Sequence, residues 1–475
     1  MPIFNNVIGN VGGAILGCLT NGYVFGYIMS FFVNSYVVDN LGRKMGIQIG
    51  NLIVVIGVII QSCAGVWIHN LPDNNTDRDV LGMLIGARFV IGFGTGLISV
   101  AGPCLVSELS YPTHKSATTA AYNSSWYLGA IVASWVSYGT KGISSNWSWR
   151  IPTILQGFFP VLQSLLLPFF VSESPRYLVA KGKVEEGKAI LSKWHGGDLK
   201  ESEMLVDYEL TEIQLALEQE RIQHEESSYK DFIKTAANRK RLWIFCWLSV
   251  FMQLSGNGLV SYYLSKVLTS IGITSTSEQL VVNAGLTIYN WGCSLIQSLF
   301  IVPRIKRRHA FNCSLFGMLI CFIIWTILSA VNQERDFKDK SLGKGVLAMI
   351  FLYYFCYNFG LNGMPYMYLT EILPFTLRGK GINLFSFIGC FFSIYNGFVN
   401  SIAMDAIEWK YYIVYCCILG VECCVEYFTF VETSGYTLEE VAEVFGDASE
   451  IRKASGMAVM EEEKLKASRE HTEYA

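Results

Sequence analysis

Charge is what this chain most lacks. Of its 475 residues only 16% are Asp, Glu, Lys or Arg, against roughly 25% in ordinary soluble domains. The deficit is concentrated in runs. Gly46 through Ile68 holds no acid, base or histidine and exceeds the roughly 20 apolar residues needed to cross a bilayer. Comparable runs recur, which sets aside a soluble globular domain and points to an all-α protein whose partner is the lipid bilayer. A basic excess is missing too, and a net charge of -3 argues against nucleic acid, which favours a strongly basic face. Histidine is scarce, six residues in all and scattered, so no Ser, His and acid constellation suggests an enzyme. The 13 cysteines lie in hydrophobic stretches without zinc-type spacing and read as packing residues; no metal or cofactor is expected. The first charged residue is Asp39, so the amino terminus is not a secretory signal with a basic n-region.

What is present is periodic in hydropathy. Spans are expected at about 18–37, 46–68, 80–107, 117–139, 151–171, 242–268, 279–303, 310–331, 345–370, 381–403 and 410–430, which makes eleven. Residues 172–241 form the one long polar segment between them, with twelve Lys and Arg and a helical-looking VDYELTEIQLALEQE. This divides the chain into an N-terminal half (1–171), a linker (172–241), a C-terminal half (242–430) and a tail (431–475). Alternate connections are richer in Lys and Arg, which places the linker, the tail and the loops at Arg43, Lys115, Arg307 and Arg378 on the cytoplasmic side. Asn74 and Asn146 open N-x-Ser/Thr triplets in connections on the other side.

The chain also repeats itself. CLVSELSYPTHKSATT (104–119) and YMYLTEILPFTLRGKG (366–381) each carry an acid at the end of an uncharged run, then a proline, then a base seven residues after the acid. Glu108 and Glu371 stand 263 positions apart, as do Arg43 and Lys306. Two landmarks at one offset indicate duplication, and two parallel helical repeats are the layout of the major facilitator superfamily. The triad Gly92, Gly94 and Gly96 is spaced like a nucleotide loop only superficially; inside a span, close helix packing is expected of it.

Several phrases in order resemble sugar porters of that superfamily, and within them the fungal lactose-permease and cellodextrin-transporter branch. These are DNLGRK (39–44), ARFVIGFGTG (87–96), AGPCLVSELSYPTHK (101–115), WRIPTILQ (149–156), SESPRYL (172–178), LSKWHGG (191–197), QLSGNGLVSYYL (253–264), the Glu371 phrase, and VETSGYTLEE (431–440). The resemblance covers roughly residues 18–445 and implies a permease of a fungal plasma membrane, moving a disaccharide or a hexose by alternating access. A transporter-like sugar sensor that binds without translocating is the alternative; the short tail after Val431 speaks against the long signalling tails of such sensors.

Site residues divide into two groups. Acids Asp39, Glu108, Glu173 and Glu371 and bases Arg43, Arg176, Arg307 and Arg378 fall at cytoplasmic ends of spans. There they are expected to pair across helices, hold the two halves together and release as the halves rock apart; anchoring at lipid headgroups is the blander reading. By resemblance, Asn123 takes the place of a sugar-binding amide, Gln253 and Asn257 sit in the family's QxSGN phrase, and Asn290, Tyr366, Asn396 and Asn400 lie near cavity-lining positions. A buried amide also serves as glue between helices. Tyr262 and Tyr263 resemble extracellular gate aromatics.

Family members normally begin with a cytoplasmic tail and a first span bearing an aspartate, which in proton-coupled members pairs with an arginine matching Arg88. Here DNLGRK arrives at residue 39 with no acid before it, so the resemblance implies a first span that is missing or atypical, giving eleven in place of twelve. Arg88 then faces a cost of about 2.5–3.5 kcal/mol at mid-membrane. The 475-residue chain is accordingly expected to take up sugar poorly. Uptake of labelled sugar under a proton gradient, compared with a version extended upstream, checks this; equal rates would overturn it.

Overall fold

A computed structural model describes residues 13–65, 76–111, 115–196, 200–226, 228–269, 271–297, 304–335, 340–374 and 377–434, together with positions 441, 444 and 445. Every regular element among the described residues is helical, as hydrocarbon demands, since backbone N–H and C=O groups there find partners only within a helix or a closed barrel. The N-terminal half consists of α1 (Gly13–Asn40), α2 (Arg43–Ser62), α3 (Thr76–Leu109), α4 (Lys115–Thr140) and α5 (Trp147–Phe170). The linker forms α6 (Pro175–Ala180), α7 (Val184–Trp194), α8 (Lys200–Glu226) and α9 (Asp231–Lys234). The C-terminal half follows with α10 (Ala236–Leu254), α11 (Asn257–Thr269), α12 (Thr276–Ile296), α13 (Arg307–Glu334), α14 (Lys340–Tyr357), α15 (Met364–Ile372), α16 (Arg378–Ile407) and α17 (Tyr411–Thr429).

Within the described residues each of the eleven expected spans meets one of these helices or a broken pair; the ends of two, residues 66–68 and 298–303, lie outside the described residues. Two spans are broken. The 242–268 run divides into α10 and α11 at Gly256, whose φ of 108° belongs to glycine and where an added Cβ would meet the Phe322 ring at 2.5 Å. The 345–370 run divides into α14 and α15 around a π turn at Asn358–Asn362, an irregularity that frequently marks a functional site. Among the described residues, eight segments are long and apolar enough to cross a membrane, one of them covering α16 and α17 together. Helices α4 and α12 fall outside that set, and they pack on each other across the two halves. Side chains such as Phe32, Phe169 and Phe428 point outward, 76%, 85% and 80% exposed, as befits a lipid-facing rim and not a water-facing one.

The two halves pack by different means. In the C-terminal half one continuous core joins α10 to α17 through stacked aromatics, Phe322 on Trp325 and Tyr415 among them. The N-terminal half has only small separate clusters and relies on backbone contact. A Cβ on Gly26 of α1 would lie 1.9 Å from the Phe89 carbonyl oxygen, and one on Gly92 of α3 would lie 2.0 Å from that of Tyr23. Gly94 meets Gly50 of α2 on the other side. The glycine triad is thus a packing surface, as expected, of the kind that lets membrane helices touch without side chains between them.

The linker lies at one end of the bundle and touches both halves. Tyr177 Oη donates to the Asn40 carbonyl at 2.9 Å, and Phe232 of α9 packs edge-on against Phe245 of α10 with ring centroids 5.6 Å apart. His195 Nδ1 meets Glu209 at 2.7 Å while its Nε2 meets the Leu109 carbonyl at 3.3 Å. A Gly92→Leu variant should lose about 1–3 kcal/mol or more from overpacking, read as a lower thermal unfolding midpoint. Gly82→Leu, where a Cβ meets nothing within 4 Å, should leave that midpoint unchanged.

Candidate functional site

At the linker end each half carries one clamp. In the N-terminal half Arg43 Nε and Nη2 donate to Glu108 at 3.1 and 3.3 Å. Ser174 Oγ donates to the same carboxylate, and Glu173 accepts the backbone N–H groups of Arg43 and Lys44 at 3.1–3.2 Å. In the C-terminal half Arg307 Nε and Nη2 donate to Glu371 at 3.3 and 3.2 Å. Thr433 Oγ1 donates to Glu371 at 2.5 Å, and Glu432 accepts the N–H groups of Arg307 and Arg308 at 2.9 and 3.1 Å. The second clamp repeats the first partner for partner, although Arg43 spans both oxygens of Glu108 and Arg307 bonds to one oxygen of Glu371. Its register also corrects one expectation: the counterpart of Arg43 is Arg307, one residue beyond Lys306.

A second correction concerns what the clamps join. Sequence placement suggests ion pairs that bridge the halves, but Arg43 with Glu108 and Arg307 with Glu371 each lie within one half. The reason is topological: the base opens a helix whose neighbour in the same half ends in the acid, and the segment after the half's last span supplies the hydroxyl and the second acid. Of the remaining predicted charges, Asp39 is exposed and lies 3.7 Å from Arg43. Arg176 on α6 is in electrostatic reach of Cys104, one turn before Glu108. Arg378 opens α16 at the same end. Glu432, Ser174 and Thr433 are not singled out by sequence; the Glu-Ser and Glu-Thr dipeptides in the phrases SESP and VETS are the available signal.

Polar contacts between the halves gather at the end remote from the linker. Gly13 N–H donates to Asp405 at 2.9 Å, and Lys266 Nζ holds the other oxygen of that carboxylate at 2.6 Å. Lys141, just after α4, meets Ser277 at the start of α12, and Asn283 Nδ2 donates to Ser134 Oγ at 3.2 Å. Deeper in, Tyr127 of α4 reaches the π turn: its hydroxyl donates to Asn358 Oδ1 at 3.3 Å and accepts from Asn362 Nδ2 at 2.6 Å. Asn358 in turn donates to Asn290 Oδ1 at 3.1 Å. Sequence reasoning missed Tyr127, Asn358 and Asn362, although two amides four apart in an uncharged run are a visible signal.

Between the halves, α1 and α16 border two adjoining cavities that share Tyr23, Val24 and Ser393. One, of about 220 Å³, is walled by Asn21, Gln61, Arg88 and Gln156. The other, of about 310 Å³, is walled by Tyr27, Ser249, Gln253, Tyr366 and Cys390. Of the predicted sugar contacts, Gln253 and Tyr366 therefore stand on the wall. Asn257 bonds to Tyr357 and Ser261 at 3.1 and 2.9 Å. Asn290 is engaged with Asn358. Asn396 and Asn400 are a correction: both are fully buried, with Asn400 Nδ2 on Asn396 Oδ1 at 2.5 Å, Tyr411 and Tyr415 on Asn400, and Asn396 Nδ2 on the Gln253 carbonyl at 2.8 Å. Their amides tie α16 to α17 and α10, which is the glue role. Asn123 lies on α4, and its side chain, like those of Tyr262 and Tyr263, is outside the described residues, as is Asn74. Arg88 donates to the Leu19 carbonyl at 3.1 Å, and no acid among the described residues pairs with it.

The arrangement offers uncharged amides, hydroxyls and aromatic faces drawn from both halves, with one guanidinium, which suits a neutral polyol better than an ion. Residues 11–445 match the family model for "Sugar (and other) transporter". The chain is 25% identical over 417 residues to the MFS-type transporter criB of Aspergillus cristatus, covering 88% of this chain and 81% of the relative. It is 26% identical over 414 residues to the low-affinity glucose transporter HXT3 of Saccharomyces cerevisiae, covering 86% and 69%. Among solved structures it superposes on the inward-open xylose transporter XylE from E. coli with a TM-score of 0.73 at 19% identity, covering 91% and 89%; the fold is the major facilitator fold.

Because both clamps are largely shielded, with Arg43 and Glu108 side chains 13% and 12% exposed, removing one partner leaves a charge uncompensated. Glu108→Gln and Glu371→Gln should each destabilise the protein by about 3 kcal/mol. Ser174→Ala and Thr433→Ala should each cost about 1 kcal/mol. Thermal unfolding of the purified variants checks both, and the paired losses should be similar in the two halves.

Proposed function

The chain belongs to the sugar (and other) transporter family, a family of membrane transporters and not of enzymes, and we propose that it moves a neutral sugar across the membrane by alternating access. The observation that carries this reading is the pair of adjoining cavities between the halves, lined by Gln61, Gln156, Gln253, Ser393 and the tyrosines 23, 27 and 366. The larger is at the lower bound, about 300 Å³, of pockets that hold small organic ligands. Two chambers in contact admit a two-ring sugar lying across both, so a disaccharide is the proposed substrate class, with a hexose occupying either chamber. The glucose transporter named among the relatives supports a sugar of the hexose series.

The clamps give the proposal its mechanics. Each half is riveted to itself at the linker end, so it tilts as one body about the α1–α16 and α4–α12 seams. The contacts of Asp405, Lys266, Lys141 and Asn283 close the remote end, and this reads as the inward-facing state with the linker in the cytoplasm. The plasma membrane, with the basic loops inside, is the proposed location on the strength of the resemblance to fungal sugar porters. Arg88 stands on the cavity wall beside Gln61 and Gln156, and with no carboxylate paired to it among the described residues, proton coupling through this arginine is not part of the proposal.

Binding measured by calorimetry on the purified protein tests the reading with glucose, xylose, lactose and cellobiose. At least one should bind, and Gln253→Ala and Tyr366→Phe, both on the cavity wall, should each weaken it roughly tenfold, the loss of one hydrogen bond to a polar ligand. No heat with any of the four sugars would overturn the proposal.

A further inference from the structure

Helix α17 carries two acids that its packing does not call for. Glu422 and Glu426 stand one turn apart, and both are fully buried inside the C-terminal half. None of their four carboxylate oxygens has a hydrogen-bond partner among the described residues. The charged or titratable groups in electrostatic reach are few: Tyr353 of α14 for Glu422, Tyr368 of α15 and Arg308 of α13 for Glu426, and Cys423 between the two on the same helix. Arg308 acts on Glu426 only from a distance and forms no ion pair with it among the described residues; its guanidinium donates to the Tyr427 carbonyl at 2.5 Å and lies 5.5 Å from the centre of the Tyr427 ring. The remaining surroundings are hydrocarbon and aromatic, including Leu419, Tyr415 and Phe430.

An ionised carboxylate shielded from water, with neither a hydrogen bond nor an ion-pair partner, bears a desolvation penalty of several kcal/mol. A neutral carboxylic acid avoids most of it. Binding of a metal cation is a poorer fit: no group of three or more His, Cys, Asp or Glu among the described residues could hold one, and hard cations demand several oxygen ligands. We propose that Glu422 and Glu426 form a proton-binding site within the C-terminal half. Both carboxyls carry a proton in this conformation, and exchange with the medium proceeds from Glu426, one turn nearer Arg308 and the linker end. The site is separate from the cavity wall at Arg88, whose partner is a backbone carbonyl. It reaches the sugar cavity through α10, which packs against α17 and carries Gln253 in its last turn; that last step alone rests on the transport reading.

Infrared spectroscopy of the full chain in lipid bilayers tests the site without any sugar, so its failure is distinguishable from failure of the transport reading. The wild-type protein should show the carbonyl stretch of protonated carboxylic acid at neutral pH, disappearing as the medium is made alkaline. Labelling glutamate carboxyls with heavy carbon should shift this band, which assigns it to glutamate even if a variant fails to fold. E422Q and E426Q should each remove roughly half of it and the double variant all of it, with thermal stability at neutral pH unchanged, because an amide mimics the neutral acid in shape. A wild-type protein without the band at neutral pH, a band that the label does not shift, or a band that survives in the folded double variant would overturn the proposal.

Discussion

The guanidinium–carboxylate clamp, made twice, is the interaction on which the rest of this structure depends. A bilayer-embedded bundle has little hydrophobic driving force between its helices, since lipid is as apolar as leucine, so definite polar contacts at helix ends must fix how helices within a half sit relative to one another. Arg43 with Glu108 and Arg307 with Glu371 do this at the same end of the molecule. In each, a hydroxyl on the acid and a second carboxylate on two backbone N–H groups saturate the remaining hydrogen-bonding capacity. That saturation is what makes a partly buried ion pair a rigid joint instead of a liability.

From two rigid bodies the cavity follows. The seams between halves, α1 against α16 and α4 against α12, contain few charges and many small or amide side chains. Asn21 donates to the Ile394 carbonyl at 3.0 Å and packs against Gly397, while Tyr127 bridges to the π turn. Contacts of this kind break and reform at modest cost, about 0.5–1.5 kcal/mol each, whereas the clamps do not. The difference in strength between joints inside a half and joints between halves is the physical requirement for rocking.

The unequal construction of the halves bears on the same point. The C-terminal half is held by a continuous aromatic core and so tolerates irregularities, the Gly256 break and the π turn, that bring Gln253, Asn358 and Asn362 to the middle of the bundle. The N-terminal half is held by glycine-to-backbone contacts, which leave no slack. Buried polar groups accordingly concentrate on the C-terminal side, Glu422 and Glu426 being the extreme case.

Much of the fold is legible in the order of amino acids. Hydropathy locates most of the spans, because an apolar run such as residues 46–62 has no stable alternative to a helix in lipid, and the offset between Glu108 and Glu371 exposes the duplication. Spacing along the chain does not reveal which partner each polar group takes. Asn396 and Asn400 look the same on paper as Gln253, which stands on the cavity wall, yet their orientation turns them into α17, where two tyrosines saturate them. Whether an arginine clamps its own half or its neighbour depends on loop path and helix order in space. Thus the amino-acid order determined that there are two helical repeats with acids and bases at their ends, through the cost of charge in hydrocarbon. Only the tertiary structure decided that each repeat closes on itself, because pairing is settled by distances of about 3 Å that no spacing along a chain encodes.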